Sequence, residues 1–205
     1  MSGVTEVVNK ALTLIGANRI TSLTDGSTNA VAAEDIYEEL RDELLRSHPW
    51  NFATKRVQLS QSSTDPTFEF DHAYPLPSDW LRTISVHHSD HGYGAVLYRS
   101  EFNANQRSII TSSDQIFLRY IYQATDMNEA PPDFRAALSY ALARDLAVKL
   151  ASSNSLRREM AREFTRSIGK ARSNDAMGAF PELRPRGSWA SSRSGRRRRD
   201  FFSDR

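Results

Sequence analysis

The sequence predicts an α+β fold: a four-helix bundle with an antiparallel β region inserted between helices 2 and 3, plus an extended C-terminal tail. Apolar residues recur at helical spacing in the first 47 residues and again after residue 130. Between about residues 51 and 122 they alternate at the spacing of half-buried strands. With 205 residues, 39% of them hydrophobic, the chain can form one domain, predicted over residues 1–176, with a tail over residues 177–205.

The first two helices are predicted over about residues 3–15 and 28–47. Each carries one apolar face, so we expect the two helices to pack as a hairpin. Ser27 or Thr28 can cap the second helix by accepting a hydrogen bond from its first turn. Pro49 cannot continue the helical hydrogen bonds, and it therefore ends this helix.

The β region is predicted over about residues 51–122. Its clearest hairpin joins residues 107–111 to residues 115–122, with serine and aspartate at 112–114 as turn residues. Residues 74–77, Tyr-Pro-Leu-Pro, cannot lie in a central strand, because each proline lacks a backbone donor. The alternating sets that predict strands are Val57/Leu59, Phe68/Phe70, Ile84/Val86, Val96/Tyr98 and Ile116/Leu118/Tyr120/Tyr122.

The third and fourth helices are predicted over about residues 131–151 and 154–173. Two consecutive prolines at 131–132 preset the first turn of the third helix, and its many alanines permit close packing. Asn154 or Ser155 can cap the fourth helix. The aromatic residues predicted to serve stability in the core, rather than binding, are Trp50, Phe52, Trp80 and Phe134.

Charge is distributed unevenly along the chain. The last 24 residues carry eight arginines against three acids, a net charge of +5, whereas residues 1–181 have a net charge of −3. This asymmetry predicts that the tail meets a partner. The tail has few aliphatic residues, so we expect it to be disordered until assembly orders it. No apolar run approaches the roughly 20 residues that span a bilayer, so we expect a soluble protein, made in a cytoplasm, with no membrane partner.

A histidine-rich segment invites a metal hypothesis, since His87, His88, Asp90 and His91 all have side chains that can ligate metals. Adjacent histidines on a strand point to opposite faces, and no second histidine cluster is spaced to complete a site. The chain also has no cysteine, which excludes thiolate ligands, disulfides and a cysteine nucleophile. The sequence therefore predicts no metal and no cofactor.

Acidic residues on the second helix raise an enzymatic hypothesis. Glu38, Glu39, Asp42 and Glu43 could supply the paired carboxylates of a glycoside hydrolase. That chemistry needs two carboxyl groups across a sugar cleft, one with a raised pKa, and neighbouring acids on one helix provide neither. We therefore predict that the protein is not an enzyme, and a phage peptidoglycan hydrolase stays a distant alternative.

Four segments carry a resemblance to a known family: LTLIGANRITSL, NAVAAEDIYEELRDELLRSHPWNFA, YPLPSDWLR and MNEAPPDFRAALSYALARDLA. In this order they resemble the head-to-tail adaptor proteins of tailed bacteriophages, of the tail tubular protein A type, also related to head–tail connector proteins. The resemblance covers roughly residues 3–175. Segments between about residues 65 and 113 match no pattern of the family.

The resemblance implies a structural virion protein. Family members form a homo-oligomeric ring, commonly a dodecamer, that binds the portal protein and receives a tail or nozzle protein. Double-stranded DNA passes through the channel without specific binding during viral genome ejection. The implied location is the neck of the virion, between capsid portal and tail, after assembly in the host cytoplasm.

The basic tail is predicted to dock on the portal, because fixed positive charge beside aromatic anchors suits an acidic groove with apolar pockets. The residues predicted to dock are Trp189, Arg193, Arg196, Arg197, Arg198, Arg199, Phe201 and Phe202. The alternative is a solvated tail that attracts nucleic acid nonspecifically, which would make the protein a basic-tailed nucleic-acid-binding protein. A further hypothesis places the acidic face of the second helix along the channel, where it would repel phosphate.

Overall fold

The helical part of the molecule is organised around one helix, α3 (Pro132–Ala151). α1 (Gly3–Leu14), α2 (Thr28–Arg46) and α4 (Asn154–Met177) each pack against it. Because Asn174 near the end of α4 bonds Asp133 at the start of α3, these two helices run antiparallel. The computed structural model describes residues 3–90, 96–103 and 105–178.

The predicted four-helix bundle with a β insertion is wrong. α1, α2 and α4 surround α3 and, within the described residues, pack far less against one another. The expected hairpin of the first two helices is therefore also wrong. The physical reason lies in the sequence of α3. Its buried residues, among them Ala137, Leu138, Ala143 and Leu146, lie on most sides of the helix, whereas each outer helix has a single apolar face to bury.

The helix ends follow ordinary capping chemistry. The Ser27 hydroxyl accepts a hydrogen bond from the backbone of Ala30 at 3.2 Å, which confirms Ser27 as the cap of α2. At α4 the cap is Ser153, one residue earlier than predicted, and its hydroxyl accepts from the backbone of Leu156. Ser152, with φ of 49°, supplies the left-handed residue that ends α3.

Within the described residues, six strands form two three-stranded antiparallel sheets, one ordered β1-β6-β3 and the other β2-β5-β4. The proline-containing segment that begins at Tyr74 falls at the end of β2, an edge strand, as its missing donors require. The strand bounds are β1 Thr54–Leu59, β2 His72–Pro75, β3 Trp80–His87, β4 Arg99–Asn103, β5 Gln106–Thr111 and β6 Ile116–Tyr122.

The predicted hairpin between β5 and β6 is wrong. β5 pairs with β2 and β4, whereas β6 pairs with β1 and β3, so the turn at 112–115 carries the chain from one sheet to the other. The Tyr74 hydroxyl donates to the carbonyl of Ser113 at 2.7 Å and holds this crossing in place. Turn residues identify a reversal of the chain, but they do not decide which strands pair across it.

Two of the alternating sets do not form strands. Residues 68–70 lie in a bent segment, because Glu69 has φ of 73° and so cannot continue an extended chain. Residues 96–98 precede β4 without strand hydrogen bonds. Alternation over two or three residues is therefore too short a signal here.

The described residues form two main apolar cores and a small third cluster of Phe70, Ala73 and Ile110. The larger surrounds α3, and the smaller lies between the two sheets. Ile121 of β6 belongs to the larger core while its neighbour Tyr120 belongs to the smaller, so β6 borders both. Among the described residues, no helix has the length and apolar character needed to cross a bilayer. The side chains between the sheets are Leu59, Tyr74, Val86, Ile109, Ile116, Leu118 and Tyr120.

Candidate assembly surfaces

Residues 46–52, here called the joint, connect α2 to the first sheet. Reciprocal hydrogen bonds fix it to β3: Arg46 Nη1 donates to the Leu81 carbonyl and Arg82 Nη1 donates to the Arg46 carbonyl, both at 2.9 Å. The indole of Trp50 is 1% exposed and its Nε1 donates to the Leu44 carbonyl at 2.9 Å. The direction of the chain where it leaves α2 is thus held from both sides.

The end of α4 also binds the joint. Asp175 accepts from the Asn51 backbone at 3.1 Å and lies 3.2 Å from His48 Nε2, and the Asn51 side chain donates to the Asp175 carbonyl at 2.7 Å. The rings of Trp50 and Phe134 pack edge to face with centroids 5.1 Å apart. The joint therefore ties α2, α4, the start of α3 and the first sheet into one unit.

Two of the predicted core aromatics, Trp50 and Phe134, are fully buried, which confirms their structural role. Phe52 is partly buried and packs against the same core, with its ring centroid 5.0 Å from that of Phe134. Trp80 is partly buried at the smaller core and donates through Nε1 to the Thr83 hydroxyl at 3.1 Å. None of the four forms an exposed anchor.

The outer face of α2 is acidic. Its carboxylates form two adjacent rows at a spacing of four residues, so they line one side of the helix. Asp35 pairs with Lys149 at 2.9 Å and Asp42 accepts from Gln123 at 2.7 Å, whereas Glu34 and Glu39 are exposed and have no ion-pair partner among the described residues. The two rows are Glu34–Glu38–Asp42 and Asp35–Glu39–Glu43.

The outer face of α4 is basic. Arg158, Arg162, Arg166 and Lys170 repeat every four residues and all are exposed. Arg166 pairs with Glu163 in its own helix, at 2.6 Å, but Arg158 and Arg162 have no carboxylate partner among the described residues. An open depression of about 500 Å³ lies over this part of α4, and Glu159 and Glu163 line it together with the arginines. The sequence pattern that marks this row, a base at every fourth position, was present but not used in the prediction.

A third exposed feature is apolar and lies along the edge strand β4. Phe68, Leu97 and Phe102 are 78%, 81% and 69% exposed. An ion pair of 3.1 Å between Arg99 and Glu69 holds the bent segment that carries Phe68 beside this edge. Exposed apolar side chains beside an unpaired strand edge are typical of a surface that binds another protein.

A polar cluster lies beneath the acidic face of α2. The Arg41 side chain is buried, and its Nε donates to Asp42 at 2.8 Å. Its guanidinium lies 5.9 Å from the Tyr37 ring centroid. Burial raises the pKa of Tyr37 to about 12, an effect that Arg41 partly opposes, and the Tyr37 hydroxyl has no hydrogen-bond partner within the described residues. Arg41 therefore neutralises part of the acidic face from within the same helix.

The residues of the metal and hydrolase hypotheses do not form a cleft. His87 ends β3 and its Nε2 lies 2.9 Å from the Ser85 hydroxyl, while His88 is exposed. Within residues 3–90, 96–103 and 105–178, no three side chains of metal-ligand type come together. Glu38, Glu39 and Glu43 are exposed on α2. His91 lies outside the described residues.

The predicted docking residues Trp189, Arg193, Arg196, Arg197, Arg198, Arg199, Phe201 and Phe202 also lie outside the described residues. α4 extends to Met177, four residues beyond its predicted end at 173, and so reaches the start of the predicted tail. No protein-family model matches the chain, and no curated protein matches it in sequence. The function is therefore inferred from the side chains and from the resemblance described above.

Proposed function

We propose that the protein is a structural subunit of a phage head-to-tail adaptor ring. Copies associate side by side, the C-terminal tail docks on the portal protein, and the β-rich end receives the next tail or nozzle protein. Double-stranded DNA passes through the channel during genome ejection. The protein acts by binding and not by catalysis, and its place is the neck of the virion.

The joint is the observation that carries this proposal. A connector that holds two different partners must keep its two ends at a fixed orientation, because freedom between them would be an entropic cost of assembly. The joint supplies that rigidity through Asp175, Trp50 and the Arg46–Arg82 exchange. The joint lies within the longest of the family-like motifs, residues 29–53.

The exposed surfaces support the proposal from another direction. The acidic row of α2, the basic row of α4 and the apolar edge at β4 all carry exposed side chains that a large partner can reach. A hydrolase would instead need carboxylates that face each other across a cleft. Release of peptidoglycan fragments by the purified protein would contradict the non-enzymatic part of the proposal.

The proposal is tested by mixing the full chain with portal from its own virus and imaging the mixture by negative stain. We expect a ring of extra density on one face of the portal. A variant that lacks residues 187–205 should stay folded by circular dichroism but lose portal binding in a pull-down. Absence of any complex with the full chain, or absence of this polypeptide from the neck of purified virions, would overturn the proposal.

A second candidate function, nucleic-acid binding, is favoured by the unpaired bases Arg158 and Arg162 on α4. If this second function is correct, the monomer binds duplex DNA, and the logarithm of the association constant falls steeply and linearly with the logarithm of the salt concentration. Fluorescence anisotropy with a labelled duplex measures this slope. We expect weak binding for the adaptor, because its channel must let DNA pass.

A further inference from the structure

The acidic outer face of α2 and the basic outer face of α4 belong to one molecule, and both helices pack against α3. We infer that they are the two halves of the lateral contact: the α4 face of one copy docks on the α2 face of the next. This inference rests on the proposed function and names the partner of each face, a second copy of this chain. A contact between two unlike faces is heterologous, and such a contact generates a ring when its rotation closes.

The direction of the helices permits this contact. α2 runs antiparallel to α3, because Asp35 in its first half pairs with Lys149 near the end of α3. α4 also runs antiparallel to α3, as shown by the bond from Asn174 to Asp133. α2 and α4 therefore run parallel, so their rows of charge can align when a neighbouring copy is related by rotation about an axis along the helices.

The basic row is longer than the acidic row and can cover its full length. At 1.5 Å per residue, the acidic row from Glu34 to Asp42 covers about 12 Å and the basic row from Arg158 to Lys170 covers about 18 Å. The unneutralised charges are complementary, with Glu34 and Glu39 on one face and Arg158 and Arg162 on the other. Electrostatic complementarity of this kind selects the partner and fixes its register.

The start of α4 also favours an acidic partner. The first turn of a helix favours acids, because its free N–H groups carry partial positive charge, yet α4 has no acid there. It has Arg157 and Arg158 instead, both exposed. Within a single copy this placement is unfavourable, and acidic side chains from a neighbouring α2 would offset it.

A cysteine experiment tests the contact directly, because the chain has no cysteine of its own. The variant Glu34→Cys/Arg162→Cys is oxidised in the full chain, with and without portal. We expect a ladder of disulfide-linked dimers, trimers and larger species. Mixing the two single variants should give heterodimers alone. A control with Glu101→Cys/Glu129→Cys, at two other exposed acids, should give no ladder above background.

Charge reversal separates this contact from other uses of the two faces. For this experiment the cysteines are placed at Glu38→Cys and Arg166→Cys, so that the positions to be reversed stay free. In that variant, Glu34→Lys/Glu39→Lys or Arg158→Glu/Arg162→Glu should each lower cross-linking by about tenfold. Mixing the two charge-reversed proteins should restore cross-linking, because each then offers a face complementary to the other. The matched control is Glu101→Lys/Glu129→Lys, which should change nothing.

Three results would overturn the inference. Cross-linking that survives each of the two reversals would show that the charges of the two faces do not hold the copies together. Loss of duplex binding in Arg158→Glu/Arg162→Glu, without a ladder in the cysteine variant, would assign the basic row to DNA. If each charge-reversed protein alone still forms rings on the portal, the lateral contact is refuted and the proposed function stays intact. If the unmodified chain does not bind the portal, the proposed function alone is refuted.

Discussion

Trp50 is the residue on which the joint depends most. It fills the space between the helices and the first sheet, packs against Phe134 and donates a hydrogen bond to Leu44. We predict that Trp50→Ala lowers the free energy of unfolding by about 3–5 kcal/mol, because it leaves a cavity that the rigid joint cannot close. Trp50→Phe should cost less, because it keeps most of the ring packing. Urea denaturation followed by circular dichroism measures both, and equal losses would contradict this account of the indole.

Asp79 links the first sheet to the turn before β3. Its carboxylate accepts from Lys55 Nζ at 2.7 Å and from the Tyr120 hydroxyl at 3.0 Å. Burial raises the pKa of Asp79, but these hydrogen bonds outweigh burial and hold it below its usual value. The carboxylate is therefore stabilising above the ordinary aspartate pKa, and that contribution is lost as pH falls through the lowered pKa of the folded state.

We therefore predict a pH-dependent effect of Asp79→Asn. At neutral pH the substitution should lower the free energy of unfolding by about 1–2 kcal/mol, because it removes two charge-assisted hydrogen bonds. The difference from the unmodified chain should shrink as pH falls below about 4. Urea titrations at several pH values measure it, with exposed Glu101→Gln as the control. A difference that stays constant with pH would mean that the charge of Asp79 contributes nothing.

At the scale of elements, the turn between α3 and α4 decides how closely these two helices pack. The backbone of Ser152 has a left-handed conformation, and the Ser153 side chain caps α4. We predict that Ser152→Gly raises the free energy of unfolding by about 0.5–1 kcal/mol, because glycine adopts this conformation without steric cost. Ser153→Ala should lower it by about 1 kcal/mol through loss of the cap. Thermal unfolding distinguishes the two signs, and a destabilising Ser152→Gly would contradict the assignment of the turn.

The elements themselves were largely predictable from the sequence, and their partners were not. Helical periodicity placed α2 and α3 because each has many apolar residues at helical spacing and a proline or serine at a boundary. The positions of β5 and β6 were also predicted, but their partners were not. Alternation shows which side chains of a strand are buried, and it does not show which strand pairs with it. The left-handed Glu69 could not be predicted, since its conformation is imposed by surrounding contacts.

At the scale of the whole molecule, the arrangement of helices follows from how many faces each helix must bury. α3 buries most of its surface and so takes the centre, a conclusion that the many alanines and leucines of residues 134–147 could have given. The acidic face of α2 was predictable from the sequence, whereas the basic row of α4 is less conspicuous than the arginine cluster beyond residue 182, because its bases are spaced four residues apart. Because both charged helices pack against α3, α3 is the element that sets the angle between neighbouring copies in the proposed ring.

This arrangement gives Asp175 a role beyond its own helix. It is the side chain that holds the end of α4 to the joint, and α4 leads directly into the segment proposed to dock on the portal. We predict that Asp175→Ala lowers the free energy of unfolding by only about 1–2 kcal/mol, since the core is untouched. Amide hydrogen exchange in residues 172–178 should nevertheless become much faster, because the last turns of α4 lose their anchor.

The matched control is Ser173→Ala, an exposed position in the same turn, which should leave exchange unchanged. In the portal pull-down, Asp175→Ala should bind more weakly than the control, because a loosened α4 presents the docking segment at a less defined place and the lost order must be restored on binding. Unchanged exchange would refute the anchoring role of Asp175. Faster exchange with unchanged portal binding would show that docking depends on the segment alone and not on the rigidity of the helix that carries it.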